Sequence, residues 1–329
     1  MRKIFGVAAG LITAAVVVVS PGYAALTTFT SFNGTVAVST DGFGSSLGDG
    51  TLTANAPVGS TVLAAYLYSA TQNTSSTPTV NLNGTAVTFG PSVPNATACC
   101  SLASFRSDVT SIVAPIINGG GGGAYNFSYS EGGLSNVTDG SALVVVYSNA
   151  VLPTASVGIL DGFASVTGDT TSINFATPLD TTQAGFFAEM RLGIGFSCCD
   201  TQSSNVTING TLITANAGDR DDGLDLANGS LITMGGDDDA FSALLPTYAN
   251  DHERYNLVPQ ITNGDTTITL VTANASKDDN IFLSVFHVSG IAGFNEPPPT
   301  NNVPEPGTFL LMGIGMAAMG LRGLRARKR

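Results

Sequence analysis

The sequence predicts an all-β protein, with one or two jelly-roll-like β-sandwiches carried between two hydrophobic ends. Three observations predict it. Gly, Ser, Thr, Asn and Val dominate, Lys, Glu and Arg are scarce and Trp is absent. That composition propagates helix poorly and suits strands joined by tight turns. Short β-branched and aromatic runs recur between turn residues, and the apolar area they bury argues against a disordered chain. Asn-Gly dipeptides stand between or before such runs, and Asn-Gly supplies the positive φ angles of a type I′ hairpin.

Taken in order, Thr35 to Ser39 alternates as a strand, and Val62 to Ser69 reads as a buried one. Thr79 to Leu82 and Thr85 to Phe89, joined by Asn83-Gly84, form a hairpin. The same device recurs with Val206 to Ile208, Asn209-Gly210 and Thr211 to Thr214, and a third copy is Asn263-Gly264 before Thr266 to Thr272. Arg106 to Val113 is the best helix or turn candidate, with Ser107 or Asp108 as its cap. Ser141 to Tyr147 is a continuous apolar run, as expected of a central strand covered on both faces, and Ile281 to Val288 is the last strong strand. Pro153 divides the body into halves 26–150 and 151–293, and a Pro/Asn stalk follows at 294–302. Each half holds an Asn-Gly hairpin and a Cys-Cys pair, but in opposite order, which argues against a clean tandem repeat.

Both ends read as targeting segments. Arg2 and Lys3 precede an apolar core from Ile4 to Val19, a Pro21-Gly22 break and small residues ending at Ala24. This pattern is a secretory signal peptide over residues 1–24, cleaved by signal peptidase after Ala24 or one residue on; the competing reading is an uncleaved anchor. The C-terminal 303–329 begins with Val303-Pro304-Glu305-Pro306, continues through an apolar run at 309–321, and ends with Arg322, Arg325, Arg327, Lys328 and Arg329. Pro304 and Pro306 keep the tripeptide extended. The apolar run is short for a full span of about 20 residues, and snorkelling arginine stems lengthen it. The basic end stays cytoplasmic, leaving the body outside.

These residues, in this order, resemble the PEP-CTERM sorting signal of Gram-negative bacteria. The resemblance implies transient membrane insertion, processing near Pro304-Glu305-Pro306 by an exosortase, and a producer that makes exopolysaccharide. An ordinary C-terminal anchor would give the same compartment. RSDVTSIV at 106–113, SALVVVY at 141–147 and ILDGF at 159–163 resemble secreted β-domains of bacterial and archaeal surface proteins. No activity follows from that likeness.

Between the two ends the body holds five basic residues (Arg106, Arg191, Arg220, Arg254 and Lys277) against twenty-three acidic ones, a net charge of −18 where the whole chain carries −12. With no basic patch to neutralise phosphate, nucleic acid is excluded as a partner. Divalent cations and exopolysaccharide remain as partners, and so does plain solubility. The four cysteines, Cys99, Cys100, Cys198 and Cys199, are expected to oxidise after export. They allow three connectivities, of which the two that link the pairs across the chain are favoured over two vicinal bridges.

The acidic stretch from Asp200 to Glu253 is the one concentrated chemical feature. Its Gly- and Asn-rich loops offer the oxygen ligands of Ca2+, with Asp221, Asp222, Asp225, Asp237 and Asp239 as first choices and Asp278 and Asp279 as additions. It lacks EF-hand spacing, and hydrated surface loops are the competing reading. No nucleophile elbow, H-E-x-x-H helix or phosphate loop is present, so no catalytic residue is assigned and the expected role is non-catalytic, structural or adhesive at the cell surface or in the matrix, with a calcium-dependent carbohydrate-binding module as the alternative. A paired-carboxylate polysaccharide hydrolase is a weaker alternative, because acids are many and aromatic residues near them few. Without Trp, sugar stacking would fall to Tyr66, Tyr68, Tyr125, Tyr129 or Tyr248, which core packing explains equally well.

Overall fold

The computed structural model describes residues 26–44, 48–71, 76–94, 103–132, 138–165, 168–195, 204–218, 232–274 and 280–294. The first part of the chain forms β1 (Thr27–Gly34), β2 (Val36–Phe43), β3 (Asp49–Ala56), β4 (Thr61–Thr71), β5 (Val80–Leu82), β6 (Thr85–Val87), β7 (Val93–Pro94), β8 (Ala103–Asp108), helix α1 (Thr110–Asn118), β9 (Gly123–Glu131) and β10 (Thr138–Ser148). The second part forms β11 (Ala155–Asp161), β12 (Asp169–Phe175), β13 (Ala188–Gly195), β14 (Ser204–Ile208), β15 (Thr211–Thr214), β16 (Thr233–Met234), β17 (Arg254–Asn256), β18 (Thr267–Asn274), β19 (Asn280–Ser289) and β20 (Ala292–Phe294).

These strands build four antiparallel sheets, ordered β2-β10-β4-β8-β7, β3-β9-β5-β6, β1-β11-β19-β13-β16 and β15-β14-β18-β12-β20, with β17 also on β13. If β2 is counted as strand one and the marginal β7 is left aside, the first two sheets run 1-8-3-6 and 2-7-4-5. With β11 as strand one and β16 and β17 sharing the sixth place, the other two run the same way. That is the jelly-roll order, two interlocked Greek keys, and the chain makes it twice. β1 lies in the first half of the sequence but pairs with β11 in the second roll.

The duplication corrects the expectation that the halves are not a tandem repeat. Val80-Asn81-Leu82-Asn83-Gly84-Thr85-Ala86-Val87-Thr88 and Val206-Thr207-Ile208-Asn209-Gly210-Thr211-Leu212-Ile213-Thr214 fill the same place in the two rolls. Both turns are left-handed at both central residues, with φ of 50° and 74° at Asn83 and Gly84, and 48° and 80° at Asn209 and Gly210. The cysteine pairs disguised the repeat because Cys99-Cys100 falls between β7 and β8 in the chain and Cys198-Cys199 between β13 and β14.

Among the described residues, three apolar cores separate the four layers. Leu52, Leu67, Phe127 and Val145 fill the first roll, and Ile173, Met190, Ile268 and Phe286 fill the second. A third core, with Val38, Val144, Val157, Phe282 and Val285, joins the rolls through their larger sheets. β10 contributes Leu143 and Val145 to one core and Val144 and Val146 to another, so its continuous apolar run is that of a strand covered on both faces, as expected. A register shift opposite Gly193 and Ile194 lets Phe282 and Leu283 both enter the third core.

Two local expectations are corrected. Arg106, Ser107 and Asp108 end β8 and pair with β4, and the helix begins only at Thr110, whose N–H donates to Asp108 Oδ1 at 2.9 Å. Asn263-Gly264 is a turn into β18, but a short 3-10 helix (Val258–Gln260) precedes it, so it joins no hairpin.

Candidate functional site

Alternation along β13 places Ala188, Met190, Leu192 and Ile194 in the core of the second roll. Glu189 and Arg191 therefore face the first roll. Both are buried, Arg191 to 3% exposure. The two Arg191 terminal nitrogens divide between Glu189 Oε1 at 3.0 Å and Asp237 Oδ1 at 2.5 Å, and Nη1 also donates to Thr40 Oγ1 of β2 at 2.7 Å. Asp237 Oδ2 accepts from Ser39 at 2.5 Å and from Asn55 at 3.3 Å. Arg254 of β17 reaches Glu189 Oε2 at 3.3 Å, and His287 of β19 sets Nδ1 3.4 Å from Glu189 Oε1.

The network is thus a charged end to the inter-roll core. Burial opposes ionisation of Glu189, but the hydrogen bond from His287 and the charges of Arg191 and Arg254 outweigh it and hold the carboxyl down to about 2. Burial likewise works against the Arg191 charge, and Glu189 and Asp237 outweigh that too, raising its pKa.

A surface cleft of about 470 Å³ opens beside this network, lined by Phe186, Phe187, Glu189, Phe241, Asn256 and His287 among others. The Phe187 and His287 rings lie 4.5 Å apart, and the Arg254 guanidinium sits 4.6 Å over Phe241. A second cleft of about 260 Å³ adjoins the first, sharing Phe241 and Asn256 and adding Ser242, Leu244 and Gln260. The composition hid this groove, because no local motif announces it. Phe186-Phe187, Phe241 and His287 are far apart in sequence and meet only through the β13–β19 pairing and the loop before β17.

The tyrosines considered for sugar contact sit elsewhere. Tyr68, Tyr129 and Tyr248 are buried, and half-buried Tyr66 packs edge-on to Phe29 at 5.1 Å. Tyr125 is also half-buried, and its hydroxyl accepts the Gly122 N–H at 2.8 Å.

The predicted calcium ligands divide. Asp221, Asp222 and Asp225, and the added Asp278 and Asp279, lie outside the described residues. Asp237 is committed to Arg191, Ser39 and Asn55, and Asp239 accepts the Gly236 N–H at 2.5 Å. Among the described residues no group of three or more His, Cys, Asp or Glu is placed to hold a metal ion. Two acids of the same stretch, Asp251 and Glu253, are fully buried and not hydrated. Asp251 accepts from Ser242 at 3.0 Å, from Tyr255 at 2.7 Å and from Thr214. Glu253, at φ 51°, accepts from the Gly218 N–H at 2.7 Å and from Thr233 at 2.6 Å. Sequence alone could not separate these structural carboxylates from exposed ones.

Two carboxyls of the first roll are driven the other way. Burial raises Asp41 to about 7, against the Thr53 N–H that it accepts, and Asp237 and Asp238 add to the rise. Burial raises Glu131 to about 8, against the hydroxyl that Tyr129 donates at 2.8 Å. Neither lines the groove.

Ala24, Pro304, Glu305, Pro306, the apolar segment 309–321 and all four cysteines lie outside the described residues. Among the described residues no helix is long and apolar enough to cross a membrane.

An all-β body with a hydrophobic, basic C-terminal segment defines the class: a delivered protein with its address at the chain end. The PEP-CTERM protein-sorting motif matches residues 302–328. Such a motif implies export, exosortase processing and sorting to the cell surface. No curated protein matches the chain. Solved structures of BuGH86, wild type and a variant, each in complex with neoagarooctaose, align over 80% of this chain at 10% and 9% identity with a TM-score of 0.25. The chain spans about a third of their length, 34% and 35%. A likeness that slight carries no argument about this protein.

Proposed function

We propose that this is a protein of the cell surface or exopolysaccharide matrix with a non-catalytic, structural or adhesive role. The observation that carries the reading is the sorting motif at 302–328, joined to an anionic, duplicated jelly roll. The charge network supports the non-catalytic part. A general acid or base works best with a pKa near the operating pH. Glu189, the carboxyl that borders the main cleft, is held near 2 and bonded to two guanidinium groups and an imidazole, which makes it a fixed counter-charge and a poor proton carrier. Three stacked cores over four sheets give a stiff body suited to display.

The test replaces Pro304, Glu305 and Pro306 by alanine in the producing cell. The variant is expected to stay in the membrane fraction with its basic tail attached, while the parent reaches the surface or matrix without it. Equal release of both would overturn the sorting reading. Turnover of the producer's own polysaccharide by the purified protein would overturn the non-catalytic one.

A further inference from the structure

The two adjoining clefts make one groove whose chemistry is specific enough to name an occupant. Its walls are phenyl and imidazole rings, Phe186, Phe187, Phe241 and His287, and Phe241 remains 47% exposed. Exposed aromatic faces offer flat apolar contact. Polar groups stand among them: the exposed Asn256 amide, the Ser242 hydroxyl and the Gln260 amide. Gln260 lines the second cleft, and its Oε1 is buried with no hydrogen-bond partner among the described residues; turned toward the cleft, it would accept a ligand hydroxyl.

The charges at the groove are already spent on one another. Glu189 is met by Arg191, Arg254 and His287, and Asp237 by Arg191. Among the described residues that line it, Glu189 is the carboxylate and it is already paired, while an anionic polymer must approach a body of net charge −18. What remains is a neutral molecule with apolar faces and hydroxyl edges, long enough to lie across both clefts.

We infer that the groove over Phe241 binds a neutral polysaccharide segment, with sugar ring faces on the phenyl rings and hydroxyls on Asn256 and Gln260. The choice of polymer rests on the matrix reading above; the groove itself does not. Affinity gel electrophoresis of the protein purified from its producing cells, with dextran, galactomannan, xyloglucan or agarose in the gel and alginate as the anionic counterpart, tests it.

At least one of the four neutral polymers is expected to retard the parent. Phe241→Ala should bind that polymer at least tenfold more weakly, and Gln260→Ala severalfold more weakly. Phe241 is exposed, so its truncation spares the fold, and circular dichroism verifies this for both variants. The inference is overturned if none of the four retards the protein, if alginate alone does, or if neither variant changes the retardation. Sedimentation covers the competing occupant. A parent dimer that Phe241→Ala dissociates, and that the neutral polymers do not compete with, would make the groove a self-interface. Because binding is measured on purified protein, failure here is distinct from failure of export, which fractionation reads.

Discussion

Glu131→Gln tests the electrostatics of the first roll most sharply. Glu131 ends β9, half-buried, and its Oε1 accepts the Tyr129 hydroxyl at 2.8 Å while Oε2 is buried without a partner among the described residues. Burial lifts its pKa from 4.5 to about 8. At about 1.4 kcal/mol per pH unit, that gap is worth on the order of 5 kcal/mol. The sign follows from proton counting. Between 4.5 and about 8 the folded state holds the proton and the unfolded state has lost it, so stability falls as pH rises through that window. Asp41, raised from 3.8 to about 7, adds a fall of the same sign lower in the range. Glutamine keeps the acceptor for Tyr129 and cannot ionise. Urea denaturation at pH 5, 7 and 8.5 should show the parent losing several kcal/mol, and the variant losing much less, with Asp41 responsible for the remainder. A stability difference between parent and variant that stays constant across the three pH values would refute the assigned burial cost.

Other consequences follow from single residues. Glu189→Gln leaves Arg191 buried with one fewer charge to face, at a cost of about 3–5 kcal/mol near neutrality. Because the Glu189 carboxyl is held at about 2, that deficit should shrink as pH falls from about 4.5 toward 2, as urea melts at pH 7 and pH 2.5 would show. Gly140, at φ 133°, would set a Cβ 2.1 Å from the Phe43 carbonyl oxygen in central strand β10, whereas Gly210, at φ 80°, meets nothing within 4 Å. Gly140→Ala should therefore abolish soluble expression, while Gly210→Ala costs about 1–2 kcal/mol of left-handed strain. Phe282→Ala opens the inter-roll core at a cost of about 3–5 kcal/mol, and calorimetry should still record one transition because that core couples the rolls.

Much of the fold was legible because its signals are local. The β-branched apolar run through Val144, Val145 and Val146 favours a strand covered on both sides, and Asn83-Gly84 and Asn209-Gly210 favour a tight hairpin through their positive φ angles. The duplication was hidden because strand order is a non-local property, and the most conspicuous residues, the cysteine pairs, fall in different connections of the two rolls. The groove was hidden for the same reason. Phe187 and His287 stand a hundred residues apart and stack only because β13 pairs with β19. The charge of Asp237 was visible in the sequence, but its partner Arg191 was not, so a structural counter-ion looked the same as a metal ligand.

The account depends most on delivery, and intact mass of the protein recovered from the cell surface and matrix reads that directly. The predicted species begins at Ala25 or Leu26, ends near Pro304-Glu305-Pro306 and lacks the basic tail. A single full-length chain from Met1 to Arg329, found in the soluble interior of the producing cell, would contradict it.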